Sequence, residues 1–175
     1  MTNELALIES ILQGDQRAFN ELVSAYQNRI FGFIMRMTAN REAAKDLTQD
    51  TFLAAYQNLS RFRQDASFST WLFQIAANKT KNFIKRAKRE VPLPVDFDQA
   101  SDTNQPDDEY SRKQQEELLL GAVGALPTKQ RIAFNLRYFE HMKFDEIARV
   151  QSVSVSAAKT NFAEALKKLK KALGE

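Results

Sequence analysis

The chain of 175 residues has no cysteine and a single histidine, His141. Lack of cysteine excludes disulfides, thiolate-held metals and a cysteine nucleophile. One imidazole with no thiol partner leaves no ligand set for a zinc-type site, so no metal is expected. Carboxylates are frequent, yet no pair of them stands isolated in an apolar pattern suited to acid–base work. A glycine-rich phosphate cradle is missing too, so neither a cofactor nor an unaided catalytic reaction is expected. No apolar run reaches the roughly 18–20 residues of a membrane span. The opening MTNELALIES lacks the basic and then apolar pattern of a secretory signal, which makes the cytoplasm the expected location. Glycine and proline are sparse, with five and four residues. Set beside long segments of 3.6-residue periodicity, that scarcity predicts an all-α protein.

What the chain does contain is unevenly placed charge. Residues 1–90 carry 13 cations and 9 anions, residues 91–113 carry 2 and 6, and residues 114–175 carry 10 and 7. Two mildly basic blocks therefore flank an acidic strap, a pattern that makes nucleic acid a plausible partner. Val91-Pro92-Leu93-Pro94 cannot continue a helix, because proline lacks the N–H and biases its predecessor to extended backbone. The following VDFDQASDTNQPDDEY is acidic and almost free of aliphatics, which predicts a flexible linker. The expected organisation is two small helical domains, 1–90 and 114–175, joined by 91–113.

In the first domain, helices are expected over about Glu4–Gln13, Ala18–Thr38 and Arg41–Leu59. Gly14-Asp15 stops the first, and Asn40 is positioned to cap the third. On that third helix Asp46, Gln49, Asp50 and Gln57 fall on one side, with Phe52 and Leu53 near the inward stripe. Taken alone, this is either a solvated face or a docking face. The stretch LSRFRQDASFSTWLFQIAANKTKNFIKRAKR, Leu59–Arg89, is more distinctive. Phe62, Phe68, Trp71 and Phe73 open it, and Lys79, Lys81, Lys85, Arg86, Lys88 and Arg89 close it. Phe68, Leu72, Ile75, Ala76, Lys79 and Phe83 form the inward stripe of one helix, which leaves Asn78, Lys81, Asn82 and Lys85 on other faces. Rings stack on unpaired bases, cations neutralise phosphates and amides pair with base edges, so the helix suits a splayed nucleic-acid strand. An ordinary amphipathic helix with a basic face is the plainer alternative.

The second domain is expected to hold helices over about Gln114–Ala125, onward from Pro127, over Phe144–Val150 and over Val155–Leu173, the last capped by Ser154. A short helix, a tight turn and a longer helix make a helix-turn-helix. In that motif the second helix enters the major groove, which makes Ser156, Lys159, Thr160 and Asn161 its candidate base-reading residues.

Together these segments resemble an extracytoplasmic-function (ECF) sigma factor, group IV of the bacterial housekeeping-type sigma family. GDQRAFNELVSAYQNRIFGFIMRMTANREAAKDLTQDTFLAAYQNLSRF and SFSTWLFQIAANKTKNFIKRAKR resemble the family's second conserved region. LPTKQRIAFNLRYFEHMKFDEIARVQSVSVSAAKTNFAEALKKL resembles its fourth. The resemblance implies that Asp46, Leu47, Gln49, Asp50 and Phe52 dock on core RNA polymerase. It implies that Phe62, Phe68 and Trp71 help open the −10 element while Asn78, Lys81, Asn82 and Lys85 lie along it. Loop 60–67 would capture a flipped base of the non-template strand, and Ser156, Lys159, Thr160, Asn161 and Ala163 would read the −35 duplex. Promoter-directed transcription initiation, a stress response, control by an anti-sigma factor and retention by that factor at the inner membrane are further implications.

This chain departs from the family pattern in the helix-turn-helix. Ser152 stands where the turn usually has glycine, His141-Met142 where a glycine often precedes the first helix, and Lys143 where a serine cap is common. Asn161 replaces a familiar arginine, and Ala163 and Glu164 replace bulkier or cationic residues, which puts promoter identity in question. Without the resemblance, two other classes stay open: a stand-alone DNA-binding regulator, and a helical adaptor or nucleic-acid-processing enzyme.

Overall fold

Side-chain caps mark where four of the helices begin. In the computed structural model, which describes residues 2–90 and 118–174, Asp15 accepts from Arg17 N at 2.9 Å and opens α2 (Gln16–Thr38) behind α1 (Thr2–Leu12). Asn40 accepts from Ala43 N at 2.9 Å and opens α3 (Arg41–Asn58). After a 3₁₀ turn, Leu59–Arg61, Ser67 accepts from Thr70 N at 3.1 Å and opens α4 (Phe68–Glu90). Each such cap satisfies an N–H that the first helical turn leaves without a partner. Residues 118–124 are helical (α5), followed by α6 (Thr128–Tyr138), α7 (Phe144–Gln151) and α8 (Val155–Leu173). Ser154 caps α8 through Ala157 N at 3.1 Å. No strand occurs among the described residues, as expected of an all-α chain. The acidic strap 91–113 and the expected helix start at Gln114 lie outside them.

The first group of helices is built around α2. Leu22, Tyr26, Ile30, Phe33, Ile34 and Met37 are buried from it, at the 3- and 4-residue spacing that lines one helix face. Phe33 meets Phe73 of α4 edge-on, with ring centres 5.5 Å apart, a geometry aromatic quadrupoles favour. Buried Thr51 and Thr80 donate their hydroxyls to the carbonyls of Leu47 and Ala76, four residues back, at 2.6 and 2.7 Å, so neither is left unpaired in the core. Tyr26 donates to Glu4. Burial, reinforced by that carboxylate, pushes the Tyr26 phenol above its ordinary range.

In the second group α6, α7 and α8 pack on one another, with Val123, Leu126, Phe134, Ala165 and Leu169 in a small core of their own. The turn from α7 to α8 contains Ser152 at φ 55°, and Val153 N donates to Ala148 O at 3.0 Å. That is the left-handed helix stop glycine usually provides. The turn ahead of α7 places His141 at φ 55° as well. At both glycine departures the backbone therefore keeps a left-handed conformation and a Cβ occupies it, which strains these turns.

The two groups are packed together. Ile132, Leu136, Ile147, Ala148, Val150 and Ala158 belong to the same buried cluster as α2 and α4, with α6 against α2 and α7 against α4.

Candidate nucleic-acid interface

On α3, residues 46, 49/50, 53 and 56/57 recur at helical spacing and form one stripe. Asp46, Gln49, Asp50 and Gln57 are exposed on it, and Leu47 is half-buried at its edge. Phe52 is not part of that surface: only 7% exposed, it belongs to the core. A helix turns about 100° per residue, and Phe52 shares the buried side with Thr51 and Ala55. The apolar groups on the outer stripe are instead Leu53, 55% exposed, and Tyr56, 42% exposed, whose ring stands 4.9 Å from that of Phe19. Their spacing from Gln49 and Asp50 was the signal that would have picked them out.

Phe62, Phe68 and Trp71 form a triangle with ring-centre separations of 5.9, 5.8 and 5.3 Å. Phe68 is its buried corner, 3% exposed and braced by Tyr26 at 5.6 Å. The aromatic surface a base could reach is therefore that of half-buried Phe62 and Trp71, and Phe68 holds the pair in place. Further along α4, Asn78, Asn82 and Lys85 are exposed and Lys81 is half-buried. These four share one helix face, followed by exposed Arg86, Lys88 and Arg89. Cations and amides thus continue from the aromatic pair along a single rigid rod, with basic Lys88 and Arg89 in its last turn, where the helix dipole favours them.

On α8, Ala158, Ala165 and Leu169 are buried and Phe162 is half-buried. The opposite face carries exposed Ser156, Lys159, Thr160, Ala163 and Lys167. Asn161 sits apart from them. It is half-buried, and its amide donates to Gln151 Oε1 at 3.2 Å, while Gln151 in turn donates to Lys129 O at 2.7 Å. Asn161 thus ties α8 to the turn and to α6, a long-range pairing that no local spacing announces. His141 is exposed, and among the described residues no group of His, Cys, Asp and Glu is arranged to hold a metal ion. Among those residues no helix is long and apolar enough to cross a membrane.

Sequence reasoning also missed the contacts between the groups. Glu140 accepts from Arg36 Nη2 and Arg29 Nε, each at 3.0 Å. Arg36 Nε donates to Asn135 Oδ1 at 2.7 Å, and its guanidinium lies 4.1 Å from the centre of the Phe139 ring. Burial lowers the Arg36 pKa and Glu140 opposes that shift; a guanidinium stays charged regardless. Arg131 Nη1 donates to Met37 O, at the end of α2, at 2.7 Å. At the other edge, Thr70 Oγ1 donates to Glu146 Oε1 at 3.1 Å and Gln74 Nε2 to Arg149 O at 3.3 Å. Arg149 Nη1 donates to Asp65 O.

Comparison with known proteins finds two matched regions in the chain. Sigma-70 region 2 matches residues 22–90, and Sigma-70, region 4 matches residues 116–169. The chain is 33% identical to the RNA polymerase sigma-H factor of Pseudomonas aeruginosa, over 95% of this chain and 92% of that protein. It is 31% identical to the ECF RNA polymerase sigma-E factor of Haemophilus influenzae, over 89% of this chain and 87% of that one. In fold it resembles CnrH, solved in complex with the cytosolic domain of CnrY, with a TM-score of 0.76, 24% identity and coverage of 98% of this chain and 97% of that one. It also resembles RpoE of Bartonella quintana, solved with the anti-sigma factor NepR, with a TM-score of 0.71, 21% identity and coverage of 89% and 96%. Two regions matched in order, and relatives above 30% identity along most of the chain, show that the protein belongs to the ECF sigma factors, non-enzymatic initiation factors that act with core RNA polymerase on promoter DNA.

Proposed function

We propose that this sigma factor grips its promoters with two separate surfaces, one in a domain spanning residues 1–90 and one in a domain spanning 114–175, joined by 91–113. The observation that carries this reading is the run from half-buried Phe62, just ahead of α4, and half-buried Trp71 along α4 to Asn78, Lys81, Asn82 and Lys85. Loop 60–67 receives an unpaired base of the non-template −10 strand, and the two rings stack beside it. Lys81 and Lys85 neutralise phosphates, while Asn78 and Asn82 face base edges. Ser156, Lys159, Thr160 and Ala163 face the −35 major groove, and Asn161 sets the pitch of their helix from behind. Asp46, Leu47, Gln49 and Asp50, with Leu53 and Tyr56 as apolar anchors, dock on core polymerase. Phe52 supports that face from beneath. Binding energy is thus directed to the opened strand, and the polymerase carries out the chemistry.

An anti-sigma partner is the second part of the proposal. CnrH and RpoE of B. quintana were each solved with a binding partner, and their likeness in fold supports a comparable inhibitor here. The factor would then act in the cytoplasm, be held inactive there or at the inner membrane, and be released under stress. Recovery of the endogenous protein from unstressed cells with no inhibitor attached would count against this part.

Transcription from a randomised promoter library, with and without core RNA polymerase, tests the main reading. The expected result is a set of transcripts that need both components and share two sequence elements. Specific duplex binding by the protein alone, unaffected by core enzyme, would replace the reading with that of a stand-alone regulator.

A further inference from the structure

Inside the first group of helices, one hydrogen bond ties the N-terminal helix to the aromatic pair that the proposed function uses. Tyr26 of α2 is 5% exposed, and its hydroxyl donates to the carboxylate of half-buried Glu4 on α1. A buried phenol needs such a partner, and a charged acceptor makes the bond a strong one. Burial, with that carboxylate adding to it, pushes the phenol above its ordinary range, so the donor keeps its proton near neutral pH. Held at its hydroxyl as well as at its backbone, the Tyr26 ring meets Phe68 at 5.6 Å with the two planes 66° apart. Phe68, the first residue of α4 and 3% exposed, in turn stands 5.9 Å from Phe62 and 5.8 Å from Trp71.

A second route leads from α1 to the same place. Ile8 and Ile11 are buried, and the helix packs on the 3₁₀ turn Leu59–Arg61, from which loop 60–67 departs. Leu59 in that turn is 2% exposed, and Phe62 N donates to Leu59 O at 3.0 Å. Phe62 is therefore set both by the turn that α1 supports and by Phe68, whose own support is Tyr26. Tyr26 is enclosed and its hydroxyl is occupied, so its effect on a strand passes through the rings. Their tilt matters, because stacking needs the ring face to lie along the base.

Resting on the proposed function, we infer that Glu4 is a positioning residue for strand capture: through the Tyr26 hydroxyl and Phe68 it fixes the planes of Phe62 and Trp71, against which an unpaired base stacks. The N-terminal helix thereby serves strand binding without touching the strand. Where the tie is missing, Phe68 and the pair it braces sample other tilts. Affinity for an unpaired strand then falls in proportion to the fraction of molecules whose rings are aligned.

Trp71 is the only tryptophan in the chain, so its fluorescence reports the order of the ring pair directly. Anisotropy decay and acrylamide quenching of Trp71 are measured in the unaltered protein, in Glu4→Ala, Glu4→Gln and Tyr26→Phe, and in Glu4→Ala combined with Tyr26→Phe. Affinities for a randomised single-stranded DNA of about a dozen nucleotides and for core polymerase are measured beside them. Tyr26→Phe keeps the ring and Glu4 is half-buried, so the fold persists in each variant, which circular dichroism checks. Glu4→Ala and Tyr26→Phe should each free Trp71 to faster local motion and raise its quenching. Each should weaken strand binding about fivefold if about a fifth of the variant molecules hold the rings aligned, with core-polymerase affinity unchanged. The combined variant should be no worse than either alone, because both changes break the same bond. Glu4→Gln keeps an acceptor and should stay near the unaltered protein. Unchanged Trp71 motion in the folded variants, additive losses in the combined one, Glu4→Gln as damaging as Glu4→Ala, or an equal loss of core-polymerase affinity would each overturn the inference. Freer Trp71 motion with undiminished strand binding would overturn it as well. If Phe62→Ala with Trp71→Ala also left strand binding undiminished, the fault would lie in the promoter reading and not in the tie from Glu4.

Discussion

Two helices of this protein carry its proposed DNA surfaces, and they are chemically unlike. On α4, amides and lysines follow an aromatic pair set at 5.3 Å, braced by a buried phenylalanine. On α8 the exposed stripe is Ser156, Lys159, Thr160 and Ala163, small or singly charged side chains with no ring among them. A ring has little to stack on in an intact duplex, and small polar groups gain little from a splayed strand. The difference is the physical basis for proposing α4 as the single-strand surface and α8 as the duplex surface.

The comparison breaks most visibly if the rings are removed. Phe62→Ala combined with Trp71→Ala should cut single-strand binding and promoter opening by about 10- to 100-fold, given roughly 1–3 kcal/mol per stacked base. Duplex −35 binding, read by gel shift with a holoenzyme on fork templates, should be unchanged. A third surface separates polymerase from DNA altogether. Leu53→Asp should weaken core-enzyme affinity by about tenfold or more, as loss of a central apolar anchor does, and leave oligonucleotide binding intact. Fluorescence titration against core polymerase would show it. Adding charge where α8 lacks it tests the comparison from the other side. Ala163→Arg should tighten duplex binding several-fold and, by supplying one more phosphate contact, steepen its salt dependence by about 0.9 in log–log slope. Removing a cation from α4 with Lys85→Ala should flatten the single-strand slope by about 0.7, the smaller value expected of a single strand. The smallest effect concerns the turn. Ser152→Gly relieves a left-handed Cβ and should raise Tm by about 1–3 °C, the residual after added unfolded-state freedom is subtracted. A fall in Tm would mean the Ser152 side chain contributes something its backbone does not reveal.

Much of this was legible in the sequence where chemistry is local. Ser154 caps α8 as its side chain suggests, and the helix extends over Val155–Leu173 as expected. Asn40 caps α3 as its side chain suggests. The start of α2 lies two residues earlier than its apolar pattern implies, because Asp15 both ends the turn and caps the helix. Separating Phe52 from Leu53 required knowing which side of α3 meets the core, and adjacent apolar residues leave that open. Asn161 looked like a base reader because it lies on the right helix, but its amide is engaged by Gln151, ten residues back. Least legible were Arg36, Arg131 and Glu140. Their partners across the two groups lie 94 to 111 residues away, and no periodicity links positions so far apart.

Glu146 gives the interface one further property. Its Oε2 accepts from Lys143 N, at the N-cap of its own helix, at 2.8 Å, while its Oε1 accepts from Thr70 across the interface. Only the second bond spans the two groups; the first is internal to the start of α7. Fastening and folding are thereby assigned to different atoms of one carboxylate. The first turn of α7 therefore carries its own tie, independent of the contact that Glu146 makes with Thr70.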